Sequence, residues 1–351
     1  MVDGRGHAAR GAVAVVVAAL LALVAGCGGG DDDSTAGDGR GADPAAEAAS
    51  ATTVGTVAPE GAEPEAAPVL PVTVTGADGV EVTVDDASRI IPVNGDIAEV
   101  VFALGLGDDV VATDLSATYP PEADALPEIG YQRTLLAEQI LGLEPTVVVA
   151  NTDAGPPEVL DQLRDAHVPV VVVDYPHDLT GPAAKIRLVA QALGVPARGE
   201  ALAREVDATL ATATDQATER VEAAGGEPLR AAFLYLRGTN VQQVGGRGSG
   251  VDALLEAAGV VDVGVELGVD EFQPLTDESL LEAAPDVLVV TTTGLESVGG
   301  IDGLVEVPAV AGTPAGRDRR VVALDDQLLL GLGPRAGDAL QELVDQLHPD
   351  D

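Results

Sequence analysis

The stretch RGEALAREVDATLATATDQATERVEA, Arg198 to Ala223, contains no proline and one glycine, Gly199. With the residues from Gly181 onward, interrupted at Gly194-Val195-Pro196, it is the longest helical pattern in the chain. At ~1.5 Å per residue the uninterrupted part spans roughly 40 Å, the scale of a small domain. A helix of that length predicts a connector between two bodies rather than a crossover within one.

Helices and strands alternate on both sides of it, the pattern of α/β lobes. On the N-terminal side, period-two runs around Gly76-Ala77-Asp78-Gly79 predict a hairpin between Val69 and Asp86. A short strand follows at Arg89–Val93, then a helix opened by Gly95-Asp96 with apolar positions at Ile97, Val100, Val101 and Leu104. Val110–Thr113 reads as a strand, Thr134–Leu143 as a helix stopped before Pro145, and Thr146–Ala150 as a buried parallel strand. Pro157–Ala166 is a helix and Val168–Val173 a strand. Beyond the connector a strand restarts at Ala231–Leu236, and a last helix covers Arg335–Leu347. The segment EQILGLEPTVVV (Glu138–Val149) is echoed in register by ESLLEAAPDVLV (Glu278–Val289), which supports related lobes. The expected architecture is α/β: two Rossmann-like lobes joined by a single long helix, with a ligand cleft between them. Residues 69–180 would form the first lobe with its leading hairpin, 181–225 the connecting helical region, and 226–351 the second lobe.

The chain has 351 residues and a formal charge of −40, with Lys185 its one lysine. Such a surface repels nucleic acid, so no nucleic-acid partner is expected. The only cysteine, Cys27, excludes an internal disulfide. It follows a short basic segment (Arg5, His7, Arg10) and an apolar run from Gly11 to Ala25, the layout of a secretory signal peptide over residues 1–26. The junction Leu23-Val24-Ala25-Gly26-Cys27 resembles a bacterial lipobox, in which Cys27 becomes the lipidated first residue; a non-lipidated signal with an incidental cysteine is the alternative. Residues 27–68, rich in Gly, Ala, Asp, Glu, Pro and Thr, read as a disordered acidic linker. An extracytoplasmic protein tethered to the cell membrane by its N-terminal lipid is expected.

Aromatic residues are scarce: four Tyr, three Phe and no Trp. Tyr131 nevertheless lies two residues before Arg133, and Tyr235 two residues before Arg237. Residues two apart on a strand share a face, so Arg237 should lie beside the Tyr235 phenol, and Arg133 beside Tyr131 if that segment is extended. A neighbouring guanidinium favours the phenolate and offers hydrogen bonds to an anionic ligand. Phenolate oxygen suits ferric iron, as in tyrosine-ligated haem; cleft-lining aromatics stacking on an apolar ligand would carry the same pattern. Of the four histidines, His177, after Tyr175-Pro176 at a strand end, is the one placed to reach a cleft. No HExxH, P-loop or nucleophile elbow occurs, so no enzymatic constellation is evident and the protein reads as a non-enzyme.

The order of features resembles the iron-complex and vitamin B12 substrate-binding lipoproteins of ABC importers, the helical-backbone class III family, and most of all its haemin-binding subgroup. The resemblance is carried by Arg89-Ile90, Asn94–Gly105, Thr118-Tyr119-Pro120, Gly130-Tyr131-Gln132-Arg133 with Ala137-Glu138, Asp153–Leu160, Gly246-Arg247-Gly248-Ser249-Gly250 and Leu330–Arg335. It implies haem as a transported ligand, with Tyr131 on the iron and Tyr235, supported by Arg237, on the other axial side. Some members use His for one ligand, which leaves His177 as an alternative partner. Arg133 and Arg237 would tune the phenols or pair with propionates. The resemblance further implies that Glu138 and Glu256, one per lobe, dock onto the permease of an importer with its ATPase. A ferric-siderophore or cobalamin receptor of the same fold is the neighbouring alternative; a secreted α/β enzyme is the alternative of a different class.

Overall fold

The computed structural model describes residues 67–349 apart from 226, 239, 240 and 275. The expected signal peptide, Cys27 and nearly all of the expected linker lie outside the described residues.

The predicted hairpin forms as Val72–Thr75 and Glu81–Val84, antiparallel. The first lobe is built on three parallel strands in the order Ile90–Val93, Val147–Asn151, Val170–Val173. Every residue in them is buried, which is why they read as continuous apolar runs rather than alternating ones. Helices Gly95–Ala103, Pro157–Asp165 and Gly181–Ala192 flank the sheet. Two sequence expectations fail here. Val110–Thr113 is not a strand: only isolated bridges tie Val110 to Ile90 and Thr113 to Glu128, because the segment leaves the sheet edge after one contact. The helix expected from Thr134 begins only at Ala137 and ends at Leu141. Tyr131–Thr134 closes a turn, with the Thr134 N–H donating to the Tyr131 carbonyl, and the Leu135 N–H is taken by the Gly155 carbonyl.

The connector is a helix from Pro196 to Ala224, 29 residues long, preceded by the break at Gly194. Pro196 suits the first helical turn, where its missing N–H has no partner to lose. Ala203, Val206, Leu210, Ala213 and Ala217 form its buried stripe, at the three- and four-residue spacing of one helix face. Small residues set the closeness of its crossings. A Cβ on Gly199 would lie 2.2 Å from Ala190 Cβ, and one on Gly337 would lie 2.3 Å from Thr209 Oγ1.

The second lobe carries a mixed sheet, in the order Val321–Leu324, Val287–Thr291, Arg230–Arg237, Val241–Gly245, Phe272–Pro274. The first three strands are parallel; the last two run antiparallel to their neighbours, so this lobe has a hairpin edge that the first lobe lacks. The echoed segments occupy matching places: helix Ala137–Leu141 precedes strand Val147–Asn151, and helix Asp277–Ala283 precedes strand Val287–Thr291. In each, the residue before the proline is left-handed, Glu144 at φ 49 and Ala284 at φ 47.

Each sheet has an outer face with its own apolar core. The inner faces share one. Val147, Val149 and Val171 of the first sheet, Val206 and Leu210 of the connector, and Phe233, Val289 and Leu340 of the second lobe belong to a continuous buried cluster. Separating the lobes would therefore expose a close-packed core.

Candidate ligand cleft between the lobes

The parallel strands of the first lobe release their chains toward the second at their carboxyl ends, the usual site for ligands in open α/β sheets. Asn94 follows the first strand, Asp153 the second, and Tyr175 and His177 the third. Tyr175 lies in the seam, where its hydroxyl donates to the Leu330 carbonyl at 2.7 Å. Burial pushes its phenol well above the ordinary range, with the Asp96 charge adding to the effect, so Tyr175 stays neutral. His177 Nδ1 faces the Gly248 carbonyl of the second lobe at 3.0 Å.

Gln327, after the last strand of the second lobe, spans the seam with both ends of its amide. Its Oε1 accepts from the N–H groups of Thr118 and Tyr119, both at 2.9 Å, and its Nε2 donates to the Gly95 carbonyl, the Tyr119 carbonyl and Glu99 Oε2. Arg335 makes a two-pronged ion pair with Glu99, 2.9 Å on each arm, and stacks its guanidinium 3.6 Å from the Tyr119 ring centroid. Behind this layer Lys185 is sealed against Asp96 and also donates to the Gly331 carbonyl at 3.0 Å.

These contacts sort the four tyrosines. Tyr119 is held by Arg335 and Tyr175 by Leu330. The hydroxyls of Tyr119, Tyr131 and Tyr235 carry no described hydrogen bond, and of these Tyr131 and Tyr235 are the two followed two residues later by arginine. Tyr131 is 43% exposed and follows Gly130, whose φ of +87 turns the chain outward. Tyr235 sits where its strand leaves the core: on the same face Phe233 is fully buried, Tyr235 half-buried and Arg237 exposed. Its ring packs on Phe272, centroids 5.6 Å apart.

A chain of contacts connects the two. Arg237 Nη1 meets Asp326 Oδ1 at 3.2 Å, the adjacent Gln327 holds Thr118 and Tyr119, and the nearby Leu115 N–H donates to the Gly130 carbonyl beside Tyr131. No ring contact or hydrogen bond joins the tyrosines to each other among the described residues.

The arginines differ from expectation in an informative way. Arg237 does lie beside Tyr235, but over the ring face, 5.0 Å from its centroid, rather than at the hydroxyl. Arg133 is directed elsewhere: because Tyr131–Thr134 is a turn and not extended, its Nη2 reaches Asp153 Oδ2 at 2.5 Å. Each Tyr-x-Arg pair thus carries an aspartate of its own lobe. Asp153 and Asp326 were not picked out by sequence, although Asp153 heads the segment Asp153–Leu160. Gln327 gave no local signal at all. Glu138 and Glu256 are both exposed on short helices. Glu138 adjoins Leu136, 63% exposed, at a surface cavity of about 400 Å³ that Gln162 also lines.

Asp114 lies behind the seam, accepting from Ser116 Oγ at 2.9 Å. Burial raises its carboxyl to about 6 against the opposing Ser116 hydrogen bond. An aspartate raised in the fold favours the folded state while protonated. That contribution is complete below about pH 4 and is lost as pH rises through about 6. Asp114→Asn should therefore be more stable than wild type by on the order of 2 kcal/mol near pH 7.5 and equal to it near pH 3.5. Urea denaturation at both pH values checks this; an equal difference at both would show that Asp114 titrates normally.

A family model described as periplasmic binding protein matches residues 90–328. The ABC transporter substrate-binding lipoprotein YvrC of Bacillus subtilis (strain 168), itself named as uncharacterized, is 24% identical over 80% of this chain and 87% of its own length. A vitamin B12-binding protein of Pectobacterium atrosepticum is 27% identical over 42% of this chain and 52% of its own. Among solved structures, the periplasmic heme-binding protein RhuT from Roseiflexus sp. RS-1, in apo form, is 52% identical, covers 75% of this chain and 98% of its own, and superposes with a TM-score of 0.72. The heme-binding protein HmuT is 38% identical over 81% of this chain and 92% of its own, at 0.76. BhuT, solved with two hemes, is 40% identical over 74% of this chain and 97% of its own, at 0.69. These matches agree with the two-lobed architecture and with the span of the family model, and the chain belongs to the periplasmic binding protein family.

Proposed function

We propose that this chain is an extracytoplasmic haem-binding protein that delivers ferric haem to the permease and ATPase of an ABC importer. The observation that carries this reading is a pair of tyrosines, one per lobe, whose hydroxyls carry no described hydrogen bond and which are each followed two residues later by arginine: Tyr131, 43% exposed, and Tyr235, half-buried. Tyr131 and Tyr235 are the axial iron ligands in this reading, with His177 the alternative to one of them. The protein binds and releases its cargo without a chemical step.

The similarities support haem over cobalamin. Proteins named for heme binding align over three quarters or more of this chain at 38% and 52% identity, whereas the vitamin B12-binding relative aligns over 42%. HmuT has also been solved with alanine replacing a histidine, a tyrosine or an arginine, the last two lying two positions apart, as Tyr235 and Arg237 do here.

Glu138 and Glu256 are assigned to permease docking and Cys27 to the lipid anchor, ahead of a linker that ends near residue 68. The Val69 N–H bonded to the Gly194 carbonyl supports that start of the folded body. The lobe boundaries 69–180, 181–225 and 226–351 follow the same reading. Titration with haemin, followed by its Soret band, should give a saturable shift. No saturable change, or a saturable response to cobalamin instead, would overturn the assignment.

A further inference from the structure

The arginines two residues after Tyr131 and Tyr235 are not free cations. Arg133, 57% exposed at its side chain, has Asp153 as its ion-pair partner, and Arg237, 41% exposed, has Asp326. The two carboxylates are held differently. Asp326 also accepts the Thr293 N–H at 3.0 Å and sits in the first turn of helix Asp326–Gly331, so its carboxylate is fixed by backbone. Asp153 follows strand Val147–Asn151 with its backbone N–H held by Asn151 Oδ1 at 3.1 Å, and its carboxylate has Arg133 as its one described partner. The arginine tips are lightly anchored. Arg133 is tied at its tip by Asp153 alone among the described contacts, and Arg237 by Asp326 and the face of the Tyr235 ring. A long side chain on a solvated stem, attached at its tip to one carboxylate, can exchange partners without disturbing the fold.

In a chain of charge −40, two carboxylates beside an anionic ligand's path would only repel it. What they can do is occupy the guanidiniums while the cleft is empty. We infer that Asp153 and Asp326 are counter-carboxylates that hold Arg133 and Arg237 in reserve, and that a dianionic porphyrin takes over these arginines through its carboxylates. The aspartates are positioning residues, acting through the arginines, and they set a threshold. A ligand with two suitably spaced carboxylates displaces both, while one lacking them leaves both pairs closed. This rests on the haem reading above and adds how the cleft selects among porphyrins.

The test compares haemin with its dimethyl ester, in which the propionates are uncharged. Both are titrated into wild type, D153N, D326N and the double variant, with folding verified by thermal denaturation. Each single variant should bind haemin roughly two- to fivefold more tightly, as expected when an exposed competing ion pair is removed. Ester affinity should not change, and the haemin gain should shrink as salt is raised. Weaker or unchanged haemin binding by the variants, or an equal gain for the ester, overturns the inference.

A second outcome would also overturn it. Arg247, exposed in the glycine-rich loop whose Gly248 meets His177, has no described side-chain partner. If R247Q abolishes the preference for haemin over ester while the aspartate variants behave like wild type, the propionates are read there instead. Failure of the haem reading itself has a distinct signature: wild type gives no Soret change with either compound.

Discussion

A Tyr131→Phe, Tyr235→Phe double variant is expected to lose saturable haemin binding, with affinity falling on the order of a hundredfold or more. Removing groups that merely orient a metal ligand already costs about 10–100-fold, so removing the ligand oxygens themselves belongs at or beyond the top of that range. Phenylalanine is the informative replacement. It preserves the ring contact of residue 235 with Phe272, 5.6 Å between centroids, and the face on which Arg237 lies at 5.0 Å. What disappears is the phenol oxygen, a hard donor of the kind that binds ferric iron. The single variants identify the dominant ligand as the one with the larger loss. If the double variant keeps wild-type affinity and spectrum, the iron ligand lies elsewhere, with His177 the next to test.

The second large effect is on stability. Lys185→Met should destabilise the fold by about 3–5 kcal/mol, the usual cost of leaving one member of a buried ion pair unpaired. Lys185 and Asp96 each have only 1% of the side chain exposed, and Asp96 Oδ1 already has no hydrogen-bond partner. Without the ammonium, the other oxygen is stranded too, and the Gly331 carbonyl of the second lobe loses its donor. The double variant Asp96→Asn, Lys185→Met should recover most of the loss, because replacing both charges removes the desolvation penalty with the attraction. Chemical denaturation of the three proteins checks this. A cost below about 1 kcal/mol for the single variant would mean that water reaches the pair.

Much of the architecture was legible because it is written locally. The connector announced itself by its length without proline, and the helix runs only slightly further, from Pro196 to Ala224. The echo between Glu138–Val149 and Glu278–Val289 resolves into the same helix, left-handed residue, proline and strand in each lobe. Errors arose where a tertiary bond overrode a local preference. Thr134 begins a helical pattern, yet the Leu135 N–H is claimed by Gly155 and the helix waits until Ala137.

The tyrosine–arginine pairs were visible as residues two apart, but their aspartates were not. Arg133 and Asp153 are 20 positions apart in sequence, Arg237 and Asp326 are 89 apart, and Gln327 is 209 from Thr118. No window of sequence holds such a pair. The geometry of Arg133 stayed conditional in the sequence for the same reason, since it depends on whether Tyr131–Thr134 is a strand or a turn.

The buried Lys185 has a practical corollary. As the chain's one lysine, it is its only side-chain primary amine, and it is sealed between the lobes. Acylating reagents that decorate the surface of most proteins would find no lysine target on this surface. The same reagents become a timer: modification of Lys185 requires the seam to part, so its rate of labelling counts opening events of the intact protein.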